Sequence, residues 1–83
     1  MPSKRLPRDL AASRLIRALS RLGYETVRQT GSHIRVRTEH DGEHQVTIPA
    51  HNPLKLGTLS AILADIASHH GMGRDELLEL LDL

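Results

Sequence analysis

Cysteine, tryptophan and phenylalanine are all absent from the 83-residue chain, and Tyr24 is its only aromatic residue. Without cysteine there is neither a disulfide framework nor a thiolate metal centre. Without rings, the core has to be built from Leu, Ile, Val and Ala. A chain this short buries little surface, so a partner protein is one source of the missing burial. No apolar run approaches the roughly 20 residues needed to cross a bilayer. The start, Met1-Pro2-Ser3-Lys4-Arg5, is basic but lacks the apolar stretch of a secretory leader. These absences predict one cytoplasmic domain over residues 1–83 with no membrane association, and residues 1–7, with two Pro and two basic residues, read as a flexible arm.

The formal net charge of +1 conceals a segregation. Residues 1–37 hold nine Lys and Arg against Asp9 and Glu25, a balance of +7. Residues 38–83 hold only Lys55 and Arg74 against eight acids, a balance of −6. A polyanion site built mainly from the first half is the functional expectation. For Arg14, Arg17 and Arg21, a solvated helix face is an equally good account.

Hydrophobic spacing sets the element order. Leu15, Ile16, Leu19 and Leu22 make a helical stripe over about 9–22, with Asp9 as N-cap and Gly23 as the left-handed terminator. Tyr24–Thr30 and Ser32–Glu39 read as strands around a turn at Gly31, and Asp41-Gly42 is a hairpin signal before a third strand, His44–Ile48. His51-Asn52-Pro53 reads as a loop. A second helix runs from near Thr58 to about His70. A short third one, Asp75–Leu81, carries acids in its first turn. The expected fold class is α+β, a three-stranded antiparallel sheet packed on helices in the order α-β-β-β-α, with an additional C-terminal helix within 73–83.

On the second strand, alternation puts His33, Arg35 and Arg37 on one face and Ile34 and Val36 on the other. Neighbours in that row step by about 6.6 Å, a spacing similar to that of phosphates along a nucleic-acid strand. Arginine offers forked donors to phosphate oxygens, and histidine exchanges protons near neutral pH. Together they suit phosphodiester cleavage, which needs a base, an acid and positive charge. A half-exposed strand with its polar side in water fits the same spacing. Gly31 and Ser32 precede His33, and Ser32 either donates to a phosphate or satisfies the turn. His51 is a possible second acid–base group. Lys55, ahead of the second helix, either marks an anion site or leaves Thr58 to cap the helix. His40 and His44 flank the hairpin turn and are expected to face solvent. Histidines four apart in a hairpin do not converge as they do on a helix, so no metal site is expected there.

Several segments, in order, carry a family resemblance. They are Leu22-Gly23-Tyr24, Val27-Arg28-Gln29-Thr30-Gly31-Ser32-His33, Val46-Thr47-Ile48-Pro49-Ala50-His51, Leu54-Lys55-Leu56-Gly57-Thr58-Leu59 and Ile62-Leu63. Spanning roughly residues 10–66, they resemble the HicA mRNA interferase toxins of type II toxin–antitoxin systems. The resemblance implies a double-stranded-RNA-binding-domain-like fold and a metal-independent endoribonuclease that needs no cofactor. His33 would be the catalytic residue, mRNA the substrate, and a HicB-family antitoxin the partner that masks the active site. With the basic half of the chain, it makes Arg28, Gln29, Gly31, Ser32, Arg35, Arg37 and Lys55 the expected RNA contacts. Two features depart from the family pattern. The chain continues through Met72–Leu83 with an acidic helix, and Arg35 and Arg37 stand where many members carry apolar or aromatic residues. A non-catalytic RNA-binding module and a protein-interaction domain are the competing functional classes.

Overall fold

The computed structural model describes residues 5–83. Helix α1 covers Ala12–Leu19 and tightens into a 3-10 turn at Ser20–Leu22. Strands β1 (Glu25–Thr30), β2 (His33–Thr38) and β3 (His44–Pro49) follow, then α2 (Leu56–His69) and α3 (Arg74–Leu80). The three strands form one antiparallel sheet in the order β1-β2-β3. The fold is the expected α+β arrangement, a double-stranded-RNA-binding-domain-like α-β-β-β-α with one more helix.

The helices cover one face of the sheet. Leu15 and Leu19 of α1, Val36 and Ile48 of the sheet, and Leu59, Leu63 and Ile66 of α2 have no exposed surface. Leu77 and Leu78 of α3 are equally enclosed, and Arg21 Nη1 donates to the Leu80 carbonyl at 3.0 Å. The extra helix is therefore part of the core. For an aliphatic core this small, each fully buried Leu is worth about 1.5–3 kcal/mol, so α3 is a substantial share of the stability.

Glycine is required at position 23 twice over. Its φ is +81°, and a Cβ there would sit 2.8 Å from Thr38 Oγ1. That buried hydroxyl donates to the Leu22 carbonyl at 2.7 Å and accepts from the His40 amide at 3.0 Å. The end of the first helix is thereby fastened to the far end of β2.

The helix starts differ from the sequence expectation. Asp9 is not the N-cap of α1; its φ is +58° and Ala11 occupies the capping position without a side-chain bond. The intervening Leu10 is buried, and its carbonyl accepts from the Leu54 amide at 2.8 Å. The Ala12 amide donates to the His51 carbonyl at 3.2 Å, so a distant loop supplies the cap. Likewise α2 begins at Leu56, two residues before the expected start, with Lys55 as N-cap and Thr58 inside the first turn. Of the arm expected over 1–7, residues 1–4 lie outside the described residues, while Leu6 is half-buried against the core.

Candidate active site

The sheet face away from the helices is open, and His33 stands at its edge nearest the Gly31-Ser32 turn. Gly31 has φ +56° with open space beyond its Cα, so the turn conformation, not a close approach, is what calls for glycine. His33 pairs with Thr30 on one side and Pro49 on the other. Residues directly opposite one another share a face, so Arg35, Thr47 and Gln45 extend the same surface.

A bulge in β1 brings in the second arginine. The register slips between Thr26 and Arg28: Glu25 pairs with Arg37, yet Arg28 pairs with Arg35. Strict alternation would set Arg28 and Glu25 on opposite faces, since they are three residues apart. The extra residue, half-exposed Val27, flips the rest of the strand and turns Arg28 and Thr30 to the His33 side. The outcome is a shallow depression of about 280 Å³ lined by Arg28, Thr30, His33, Arg35 and Thr47. Arg35 Nη1 donates to Gln45 Oε1 at 3.2 Å, which steadies the guanidinium on the sheet. No salt bridge among the described residues engages Arg28 or Arg35.

The other expected RNA contacts are placed elsewhere. Arg37 is on the same face but is held by two carboxylates, with Nη2 3.0 Å from Glu39 and Nε 3.2 Å from Glu43. Its hydrogen bonds hold the Glu43 carboxyl below the usual range, helped by the Gln45 amide, and those two glutamates raise Arg37 itself. Gln29 pairs with Ile34, which sets it on the opposite face from His33. Ser32 is exposed, and its carbonyl accepts from the Ala50 amide at 2.6 Å. Lys55 is exposed at the start of α2 and is not among the lining residues of the depression. His51 lines a separate depression with Ala12, Ile34 and Asn52 that shares no residue with the first.

Two lining residues, Thr30 and Thr47, were not expected from the sequence. Thr47 was legible: alternation with Val46 and Ile48 puts it on the outer face, and the hairpin turn sets it opposite Arg35. Thr30 was not, because its face depends on the bulge.

The arrangement combines an exposed proton-exchanging group, two unpaired guanidinium groups and two hydroxyls. It can grip a phosphodiester and move a proton beside it. A family model described as the HicA toxin of bacterial toxin–antitoxin systems matches residues 12–67. No curated protein and no solved structure gives a significant match. The matched region runs from the first residue of α1 to near the end of α2 and contains the whole depression; α3 lies beyond it.

Proposed function

Since this chain belongs to the HicA toxin family, and so acts as the toxin of a toxin–antitoxin pair, we propose that it is an endoribonuclease that cleaves mRNA at His33 and thereby blocks translation. The observation that carries the reading is the convergence of His33, Arg28 and Arg35 on one open depression. His33 takes the proton of an RNA 2′-hydroxyl as that oxygen attacks the adjacent phosphorus. The P–O5′ bond breaks, and the leaving oxygen receives a proton from the imidazolium or from water. The products carry a 2′,3′-cyclic phosphate and a 5′-hydroxyl. Arg28 and Arg35 neutralise the crowded phosphate, where each such donor is worth about 10²–10³ in rate. The hydroxyls of Thr30 and Thr47 hold neighbouring oxygens.

The reaction uses no metal ion and takes place in the cytoplasm, where mRNA is available. Lys55 and Ser32 contact flanking nucleotides rather than the scissile phosphate. Arg37, already neutralised, contributes little, and His51 belongs to the neighbouring depression. The antitoxin is of the HicB family and covers the outer sheet face. Val27, 52% exposed on the bulge beside Arg28, gives it an apolar contact next to the catalytic depression.

The test is incubation of RNA with the wild type and with His33→Ala, in EDTA, with analysis of the new ends. Cyclic-phosphate ends from the wild type and none from the variant are expected. Equal cleavage by both removes His33 from the reaction, loss of wild-type cleavage in EDTA with the fold retained by circular dichroism removes metal independence, and tight RNA binding without cleavage replaces the enzyme with a binding module.

A further inference from the structure

Four of the six histidines gather at the end of the sheet away from His33, around the Tyr24 hydroxyl. That hydroxyl lies 2.6 Å from His44 Nδ1 and 3.1 Å from His70 Nε2. Each imidazole then faces a carboxylate: His44 Nε2 is 3.1 Å from Asp65, and His70 Nδ1 is 3.0 Å from Asp41. Contacts therefore run Asp41–His70–Tyr24–His44–Asp65, four in all. A hydrogen bond needs one proton per contact, and neutral His70, Tyr24 and His44 bring only three. The fourth contact is closed either by one further proton or by a cation.

The geometry shows where a cation fits. His40 Nε2 stands 3.5 Å from the Asp41 carboxylate oxygen that His70 meets at 3.0 Å. The three ligand atoms of His40, Asp41 and His70 lie within 4.8 Å of one another. Two ligands about 2.0–2.1 Å from a tetrahedral zinc ion are about 3.3 Å apart, close to the two measured edges. Exposed His40 can turn to close the third. The other ligands are already fixed. His69 Nε2 donates to the carbonyls of His40 at 3.2 Å and Gly42 at 3.0 Å, which pins the turn carrying Asp41. The His70 side chain has no exposure and is held by Tyr24.

We propose that His40, Asp41 and His70 bind a divalent cation of the zinc type, with Tyr24 as the outer-shell partner that orients His70. With the ion on Nδ1, His70 keeps its proton on Nε2 and donates to Tyr24. Tyr24 donates to His44, and His44 donates to Asp65, so three protons serve three bonds and the ion replaces the fourth. Histidine and carboxylate are the donors such an ion takes, and outer-shell orientation of a ligating histidine is usual in such sites. The ion ties the β2–β3 turn to the end of α2. His40 is seven residues from His33 along a nearly extended chain, about 23 Å, so the ion's role is structural.

The test is calorimetric titration of the full chain with Zn²⁺, after EDTA treatment and removal of the chelator, alongside the visible spectrum of the Co²⁺ form. One equivalent bound, a four-coordinate Co²⁺ spectrum and a raised melting temperature are expected. His40→Ala, on an exposed side chain, should keep the fold and weaken Zn²⁺ by more than the roughly 10–100-fold that loss of an outer-shell partner causes; Tyr24→Phe should fall within that range. His51→Ala should bind as the wild type does. Absence of Zn²⁺ binding by the wild type, which would mean that a proton fills the gap, overturns the proposal. So does His40→Ala binding with wild-type affinity.

Discussion

The two ends of the β2–β3 hairpin carry the same residue types in opposite states. At the Gly31 end, His33 is exposed and Arg28 and Arg35 have no carboxylate partner among the described residues. At the Asp41 end, four histidines, two aspartates and a tyrosine contact one another, and Arg37 is closed off by Glu39 and Glu43. The difference is the local charge balance. Within the sheet and its turns, the acidic residues Glu25, Glu39, Asp41 and Glu43 all stand at the Asp41 end, so cations there are consumed structurally. Those at the other end are left for a ligand. An exposed histidine with unpaired arginines is equipped for chemistry; a histidine locked between a carboxylate and a hydroxyl is equipped to hold a fold together.

The largest expected contrast is catalytic. His33→Ala should lower RNA cleavage by about 10²–10⁴-fold, the usual worth of general acid–base catalysis, with an unchanged melting temperature. Arg28→Ala and Arg35→Ala should each cost about 10²–10³-fold in the same assay, whereas Arg37→Ala should stay within about threefold, because its charge is already neutralised. Comparable losses for all three arginines would erase the distinction between the two ends.

Stability should respond in the reverse sense. Gly23→Ala forces a side chain into a left-handed position and against Thr38 Oγ1, and is expected to cost about 2 kcal/mol or more, a fall of at least about 8 °C in Tm. Gly31→Ala meets the same backbone conformation but open space, and should cost only about 1–2 kcal/mol. Urea unfolding of both variants checks the ranking.

The smallest effect is confined to alkaline solution. Burial, with a further contribution from the Asp65 charge, pushes the Tyr24 hydroxyl up to about 12 from its ordinary 10. The folded protein thus holds this proton more tightly than the unfolded chain does. The corresponding stability is complete below about pH 10 and declines as pH rises toward about 12. Urea unfolding in EDTA across that window should show the decline in the wild type and not in Tyr24→Phe. As the only aromatic residue, Tyr24 also reports its own ionisation directly through tyrosinate absorbance. A tyrosinate midpoint near 10 in the folded protein would show that the turn end is looser than described.

Much of the fold is legible in the pattern of residues. The element order follows from leucine spacing, from alternation in Ile34–Val36 and Val46–Ile48, and from the punctuation at Gly23, Gly31 and Asp41-Gly42. His33 and Arg35 share a face for the same reason. Other features depend on contacts between distant segments. The first amide of α1 is capped by the His51 carbonyl, about forty positions away, so a local reading points instead to Asp9. Arg28 reaches the depression only through a bulge that no turn residue announces. His40 faces water as expected and stacks on His70, whereas His44, also expected to face water, stacks on His69 and is largely enclosed, because α2 packs beside the hairpin.

By itself, the sequence determined the α+β order, the segregation of charge and the presence of His33 beside an arginine on an open strand face. Each is encoded by spacing within a few residues, on the periods of helix and strand. Tertiary structure decided which arginines remain free, that the last helix completes the core, and that four histidines cluster, with two of them on the Tyr24 hydroxyl. Those outcomes depend on which segments pack together, and packing joins residues whose separation along the chain carries no signal of its own.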